Sequence, residues 1–221
     1  MEYNYISFGY DCSPATALKN LNLRTMALPF DWVETDIRAV LKCITEDFRN
    51  FHKQITLTEG GEQVRDFYGI RFPHDYPSEL GKTYKLQNAS VAGLHRVCAD
   101  YETHIDEVSE KYLRRIERFY DIINDRETPI IALYRGSINN VLYLNDLLQK
   151  KYRRKILFVV STKETTDQPF IIPCDTERNE KWNDSAIWME GISKAQQIYA
   201  YLKSIEKPPV KKLTKLGLAI S

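Results

Sequence analysis

The chain has 221 residues, 43% hydrophobic and 28% charged, with a formal net charge of +1. That is enough apolar material for a core, and the near-neutral balance excludes a global field that would draw nucleic acid, an anionic membrane or an acidic partner. The cysteines (Cys12, Cys43, Cys98 and Cys174) and the histidines are too scattered for a disulfide framework or a metal centre, and no apolar run approaches the ~20 residues of a membrane span.

Tyr3 to Phe8 reads as a short buried strand that breaks at Gly9. Cys12 follows, and Ser13-Pro14 opens a helix, with Ser as the cap and Pro at the first helical position. Ala15 to Leu21 continues that helix. Leu28-Pro29-Phe30-Asp31-Trp32 is a bulky turn. Thr35-Asp36 caps a second helix from Ile37 to Phe51, carrying Val40, Leu41, Ile44 and Phe48 at helical spacing. Gly60-Gly61 marks a loop. Phe67 to Phe72 reads as a strand or extended arm and runs into Pro73-His74-Asp75-Tyr76-Pro77, where two prolines forbid helix.

From Ala99 the pattern is a long amphipathic helix, with Val108, Tyr112, Ile116, Phe119 and Ile123 on one face, stopped by Thr128-Pro129. Ile130 to Tyr134 is a second buried strand, Asn139 to Tyr152 a helix, Ile156 to Val160 a third strand, and a further helix lies within Asp184 to Leu202. Nearly continuous apolar strands alternating with helices imply an α/β fold, a mostly parallel sheet covered by helices, with its three strands neighbouring and parallel. The expected organisation is one domain over residues 1–206, with 52–98 as an irregular insertion or lid and 207–221 as a basic, solvated tail. No signal-like start is visible, so a reducing cytoplasm is the expected compartment.

Ligands of an open parallel sheet sit beyond the carboxyl ends of its strands. Gly9 to Ser13, Arg135-Gly136-Ser137 and Ser161 to Glu164 all fall there, so Cys12 and Arg135 are expected to face one cleft. Cys12 stands just before a helix start, where partial positive charge favours thiolate over thiol; a free cysteine titrates near 8.5. That position suits a nucleophile and equally a small buried hydrophobe. A thiol nucleophile needs an imidazole to take its proton and a third group to orient the ring. His74 is the candidate base, and Asp75 and Asp31 are rival orienters. Backbone N–H groups from Ser13 onward are a candidate oxyanion site, and Trp32 and Arg135 border the cleft as candidate substrate contacts. His52 closes a helix, where a cation is favoured, and His95 and His104 read as solvated. Nucleotide fingerprints are absent.

Four segments then fit one pattern: Ile6 to Cys12, Pro29-Phe30-Asp31-Trp32, Phe72-Pro73-His74-Asp75-Tyr76, and Tyr112 to Phe119. In order and spacing they resemble the family described as "putative papain-like cysteine peptidase", a domain of unknown function, over about residues 3–165. The resemblance implies a thiol hydrolase with Cys12 as nucleophile and His74 as base, acting on a peptide or small acyl or glycan substrate. No cofactor, metal, nucleic acid or membrane is expected, and nothing in the chain sets an oligomeric state. The alternatives are a Rossmann-like transferase or glycan-handling domain with Arg135 on an anion and Cys12 merely packed, or a binding module without chemistry.

Overall fold

The computed structural model describes residues 1–78, 96–174 and 185–206. Among them, strands β1 (Asn4–Ser7), β4 (Ile130–Arg135), β5 (Ile156–Ser161) and β6 (Ile171–Cys174) form one sheet in the order β1-β4-β5-β6. Every pairing in it is parallel, with Tyr5 opposite Ile131, Ala132 opposite Phe158, and Val159 opposite Ile172. The three strands expected to be parallel neighbours are so. β6 is an addition. Its Pro173 breaks the apolar run and lies on the outermost strand, where a missing N–H costs no ladder bond.

Side chains alternate between two layers, as the strand period requires. Ile130, Ala132, Tyr134, Ile156, Phe158 and Val160 face one core, shared with α2 (Ile37–Thr45), α3 (Ile105–Asn124) and α4 (Ile138–Tyr152). Ile131, Leu133, Leu157, Val159 and Ile172 face the other, covered by α1 (Ser13–Asn20) and α5 (Ala186–Glu206). Both faces are buried, which is why these strands read as unbroken apolar runs. Phe8, Phe30, Phe48, Phe51 and Phe119 form a continuous set of ring contacts at the centre of the first core.

Three local expectations change. The helix opened by Asp36, whose carboxylate accepts from Ala39 N, ends at Thr45 rather than Phe51. Asp47 and Phe48 adopt left-handed backbone, and this turn sends Phe48 and Phe51 into the aromatic core from outside a helix. Of the expected strand or extended arm, Phe67 and Tyr68 form a turn, held by Asp66 carboxylate bonds to the Tyr68 and Ile70 N–H groups, and Arg71 pairs by single bridges. Two very short strands, β2 (Thr56–Leu57) and β3 (Val64–Arg65), form an antiparallel ladder, which Arg71 extends by single bridges to Arg65 and Glu34. The long helix expected from Ala99 opens instead as a 3-10 turn over Tyr101–His104 before α3 begins. Residues 79–95 of the expected insertion, His95 among them, and the basic tail lie outside the described residues.

Candidate active site

β1 delivers the chain to its carboxyl end, where Gly9 and Tyr10 take left-handed backbone at φ of 76° and 78°. Glycine is needed at the first of these: a Cβ there would sit 2.5 Å from Thr35 Cγ2. This turn places Cys12 as the N-cap of α1, its carbonyl accepting from Thr16 N at 2.9 Å. The cap is therefore Cys12 and not Ser13, and the first free donor of the helix is already occupied. Asp11 Oδ1 accepts from Ser13 N at 2.8 Å and from Ser13 Oγ at 2.6 Å. The expected oxyanion donor at Ser13 is thus engaged by a carboxylate of the chain itself.

The other oxygen of Asp11 accepts from Arg135 Nη1 at 2.7 Å. Arg135 leaves the end of β4 and is 31% exposed. It lies at the same sheet end as Cys12, with Asp11 for a partner. Nearby, the N-terminus of α4 is capped by Ser137, and Glu164 accepts from Ile138 N at 2.8 Å. Both places where an anion would settle on this edge hold carboxylates of the chain.

His74 arrives from the proline-bracketed loop, and its Nε2 lies 3.2 Å from Cys12 Sγ. That is hydrogen-bond reach for sulfur, between residues 62 positions apart. Trp32, itself left-handed at φ 65°, sets its indole edge-on to the His74 ring at 6.1 Å. Non-glycine residues in this region cost about 1–3 kcal/mol and collect at functional sites. Arg24 and Lys19 stand over the Trp32 ring at 5.5 and 5.8 Å.

The two rival orienters have other work. Asp75 accepts from Lys111 Nζ and, at 2.7 Å, from the Tyr112 hydroxyl, both on α3. Asp31, 2% exposed, accepts from Ser7 Oγ, from Arg24 Nε at 3.1 Å and from Leu28 N at 2.9 Å. It ties the end of β1 to the turn that carries Trp32.

The thiol does not titrate as its helix position suggests. Burial first, and then the carboxylates of Asp11, Glu34 and Asp75, push Cys12 up to about 12. The sulfur belongs to a residue only 9% exposed. Asp11 also brings a full negative charge to the helix end whose partial positive charge would have stabilised a thiolate. At neutral pH Cys12 is therefore a thiol. Cys43 and Cys174 are buried too, and burial raises both.

Sequence reasoning missed the parts played by Asp11, Glu34, Lys111, Tyr112 and His52. Only Asp11 carried a local signal, as a carboxylate adjacent to the cysteine. His52 is not a cation closing a helix, since α2 ends at Thr45. It is buried, and that burial pushes it down to about 4.

Residues 3–164 match the family described as "putative papain-like cysteine peptidase". The chain belongs to that family. It is also 23% identical over 226 residues to an uncharacterized protein, R408, of Acanthamoeba polyphaga mimivirus, an alignment covering 91% of this chain and 87% of the relative. No solved structure matches the chain. The family's description names a nucleophile type, and Cys12 is the cysteine that meets a histidine within hydrogen-bond distance among the described residues.

Proposed function

We propose that the protein is a thiol hydrolase of the papain-like cysteine peptidase type, with Cys12 as nucleophile and His74 as general base. The observation that carries this reading is the 3.2 Å separation of Cys12 Sγ from His74 Nε2 at the end of a parallel sheet. Because burial and acidic neighbours favour the thiol, proton transfer accompanies attack rather than preceding it. His74 Nε2 takes the Cys12 proton as sulfur bonds to the acyl carbon of a peptide or small acyl substrate. The imidazolium then gives that proton to the leaving group, and a thioester remains. Water, losing a proton to the same nitrogen, attacks the thioester; as the C–S bond breaks, sulfur takes the proton back.

Trp32 is the substrate contact in this scheme, its ring half-exposed beside His74. Ser13 N–H serves an oxyanion only once Asp11 lets it go. No helix among the described residues is long and apolar enough to cross a membrane, and we place the protein in the cytoplasm, where free thiols persist. The transferase alternative loses its support at Arg135, whose guanidinium is paired with Asp11.

Labelling by a thiol-reactive acyl probe across pH, compared among the native protein, Cys12→Ser and His74→Ala, tests the reading. The expected result is labelling at Cys12 that disappears in Cys12→Ser and moves to higher pH in His74→Ala. An unchanged pH profile in a folded His74→Ala protein refutes it.

A further inference from the structure

His52 is a buried titratable group that the proposed chemistry does not use. It is 3% exposed, and both of its ring nitrogens are engaged. Nε2 meets the Tyr76 hydroxyl at 2.8 Å, and Nδ1 meets Ser109 Oγ on α3 at 2.8 Å. The ring stacks on Tyr76 and Tyr112 with interplanar angles of 18° and 23°, and Phe72 packs against it edge-on. The backbone N–H of His52 donates to the buried Asp66 carboxylate at 2.9 Å. A neutral imidazole between two hydroxyls is fully satisfied, since one nitrogen donates, the other accepts, and each hydroxyl can take either part.

This bridge ends two residues after His74. Tyr76 is tied through His52 to Ser109, while Asp75 is tied directly to Lys111 and Tyr112. Ser109, Lys111 and Tyr112 lie within one turn of α3. Pro73 and Pro77 bracket the segment and fix φ at both ends, leaving few torsions free. The backbone that carries His74 is therefore anchored to a long helix through two side-chain contacts, in which Ser109 and Lys111 are partly exposed while the His52–Tyr76 bond and the Asp75 and Tyr112 side chains are shielded from water. A hydrogen bond shielded in this way is geometrically exacting, because the groups have no solvent to turn to if they separate.

We infer that His52, Tyr76 and Tyr112 are positioning residues for His74: by pinning Tyr76 and Asp75 to α3 they hold the imidazole within reach of Cys12, an inference that rests on the Cys12–His74 reading above. Asp75 acts here as an anchor of the loop. Its carboxylate faces the helix, so the third group of the site orients the histidine by holding its backbone.

The test uses Tyr76→Phe, Tyr112→Phe and His52→Gln, each alone and each combined with His74→Ala. The phenylalanine variants keep the rings and remove single hydroxyls, so they answer the question even if His52→Gln does not fold. Cys12 alkylation by iodoacetamide is followed at peptide level across pH, with the melting temperature as the check on folding. The expected result is an alkylation rate lower by about fivefold, the loss that one misplaced hydrogen bond of ordinary strength produces. The pH profile moves toward that of His74→Ala, and no further loss appears in the combined variants. Native rates and profiles in all folded single variants, with His74→Ala still altered, overturn the positioning role and leave the hydrolase reading standing. Losses that multiply in the His74→Ala background overturn it too, since positioning acts only through His74. If His74→Ala alone changes nothing, the hydrolase reading falls and the positioning role falls with it.

Discussion

Replacing Asp11 with Asn isolates the charge that keeps Cys12 protonated. Asn retains a carbonyl oxygen for the Ser13 N–H and hydroxyl, so the start of α1 keeps its acceptor, while Arg135 loses the carboxylate 2.7 Å away. An opposite or like charge within ~4–6 Å moves a neighbouring group by about 1–3 units. Asp11 stands second to burial in raising the thiol to about 12, which places the expected fall at the lower end of that range, about 1 unit. The thiolate fraction near neutral pH then rises about tenfold. The less basic thiolate is also less nucleophilic, with a Brønsted slope of about 0.4–0.5, so the net gain in alkylation rate is about threefold. Iodoacetamide labelling read by peptide mass spectrometry measures it, with the half-buried Cys98 as the internal comparison. An unchanged or slower rate at Cys12, in a variant with native circular dichroism, refutes the claim that this carboxylate restrains the thiol.

Gly9→Ala forces a Cβ to within 2.5 Å of Thr35 Cγ2 at a φ of +76°, and is expected to cost about 1–3 kcal/mol in a urea titration while slowing Cys12 alkylation; an unchanged midpoint contradicts the need for glycine at that turn. Phe119→Ala empties a fully buried ring site against Phe8 and Phe48 and is expected to lower stability by about 3–5 kcal/mol by the same titration. Stability against pH depends on two buried groups of opposite sign. His52 is lowered to about 4 from 6.5, so the unfolded chain binds its proton first, and the stability present above 6.5 is lost as pH falls towards 4. Asp66 is raised to about 6 from 3.8, so the folded protein binds its proton first, and that stability is present below 3.8 and lost as pH rises through 6. Each amounts to about 3 kcal/mol, so their sum is nearly level between about 4 and 6. In His52→Gln the Asp66 contribution stands alone, and stability is expected to rise on acidification across that window; a flat profile in the variant excludes the compensation.

The sheet was legible because burial on both faces leaves a local mark. Ile130-Ile131-Ala132-Leu133-Tyr134 and Ile156 to Val160 have no polar interruption, and each is followed by a helical pattern. β6 left no such mark, since an outermost strand tolerates Pro173. The second helix was overextended because Phe48 and Phe51 stand at helical spacing, and spacing alone does not separate a helix face from two left-handed turns that enter the same core. Cys12 could be placed at a helix start from Gly9, Ser13 and Pro14. Its protonation could not, because that depends first on burial in the folded protein, then on the neighbouring Asp11 and on Glu34 and Asp75 arriving from distant loops. His74 was the candidate base because a thiol nucleophile needs an imidazole, and the family pattern pointed to the same residue; no spacing rule connects a cysteine to a histidine 62 positions later. The role of His52 was illegible for the same reason, its partners being Tyr76 and Ser109.

The strand that leads to Cys12 lies at the margin of the sheet, and its partner in that sheet is β4. The contact between Asp11 and Arg135 spans 124 positions. During synthesis the first strand therefore has nothing to pair with until more than half the chain has emerged, and parallel pairing at this separation closes slowly. Through that interval Cys12 is an ordinary accessible thiol on a growing chain, with Asp11 beside it but without the burial that raises it most. Docking of β1 against β4 is the event that buries it at the sheet end, where His74 Nε2 stands 3.2 Å away. A copy interrupted before residue 130 carries the cysteine, the histidine and the α3 residues bonded to the histidine's loop, but not the sheet that positions the cysteine, so the paired site certifies that the sheet has been assembled.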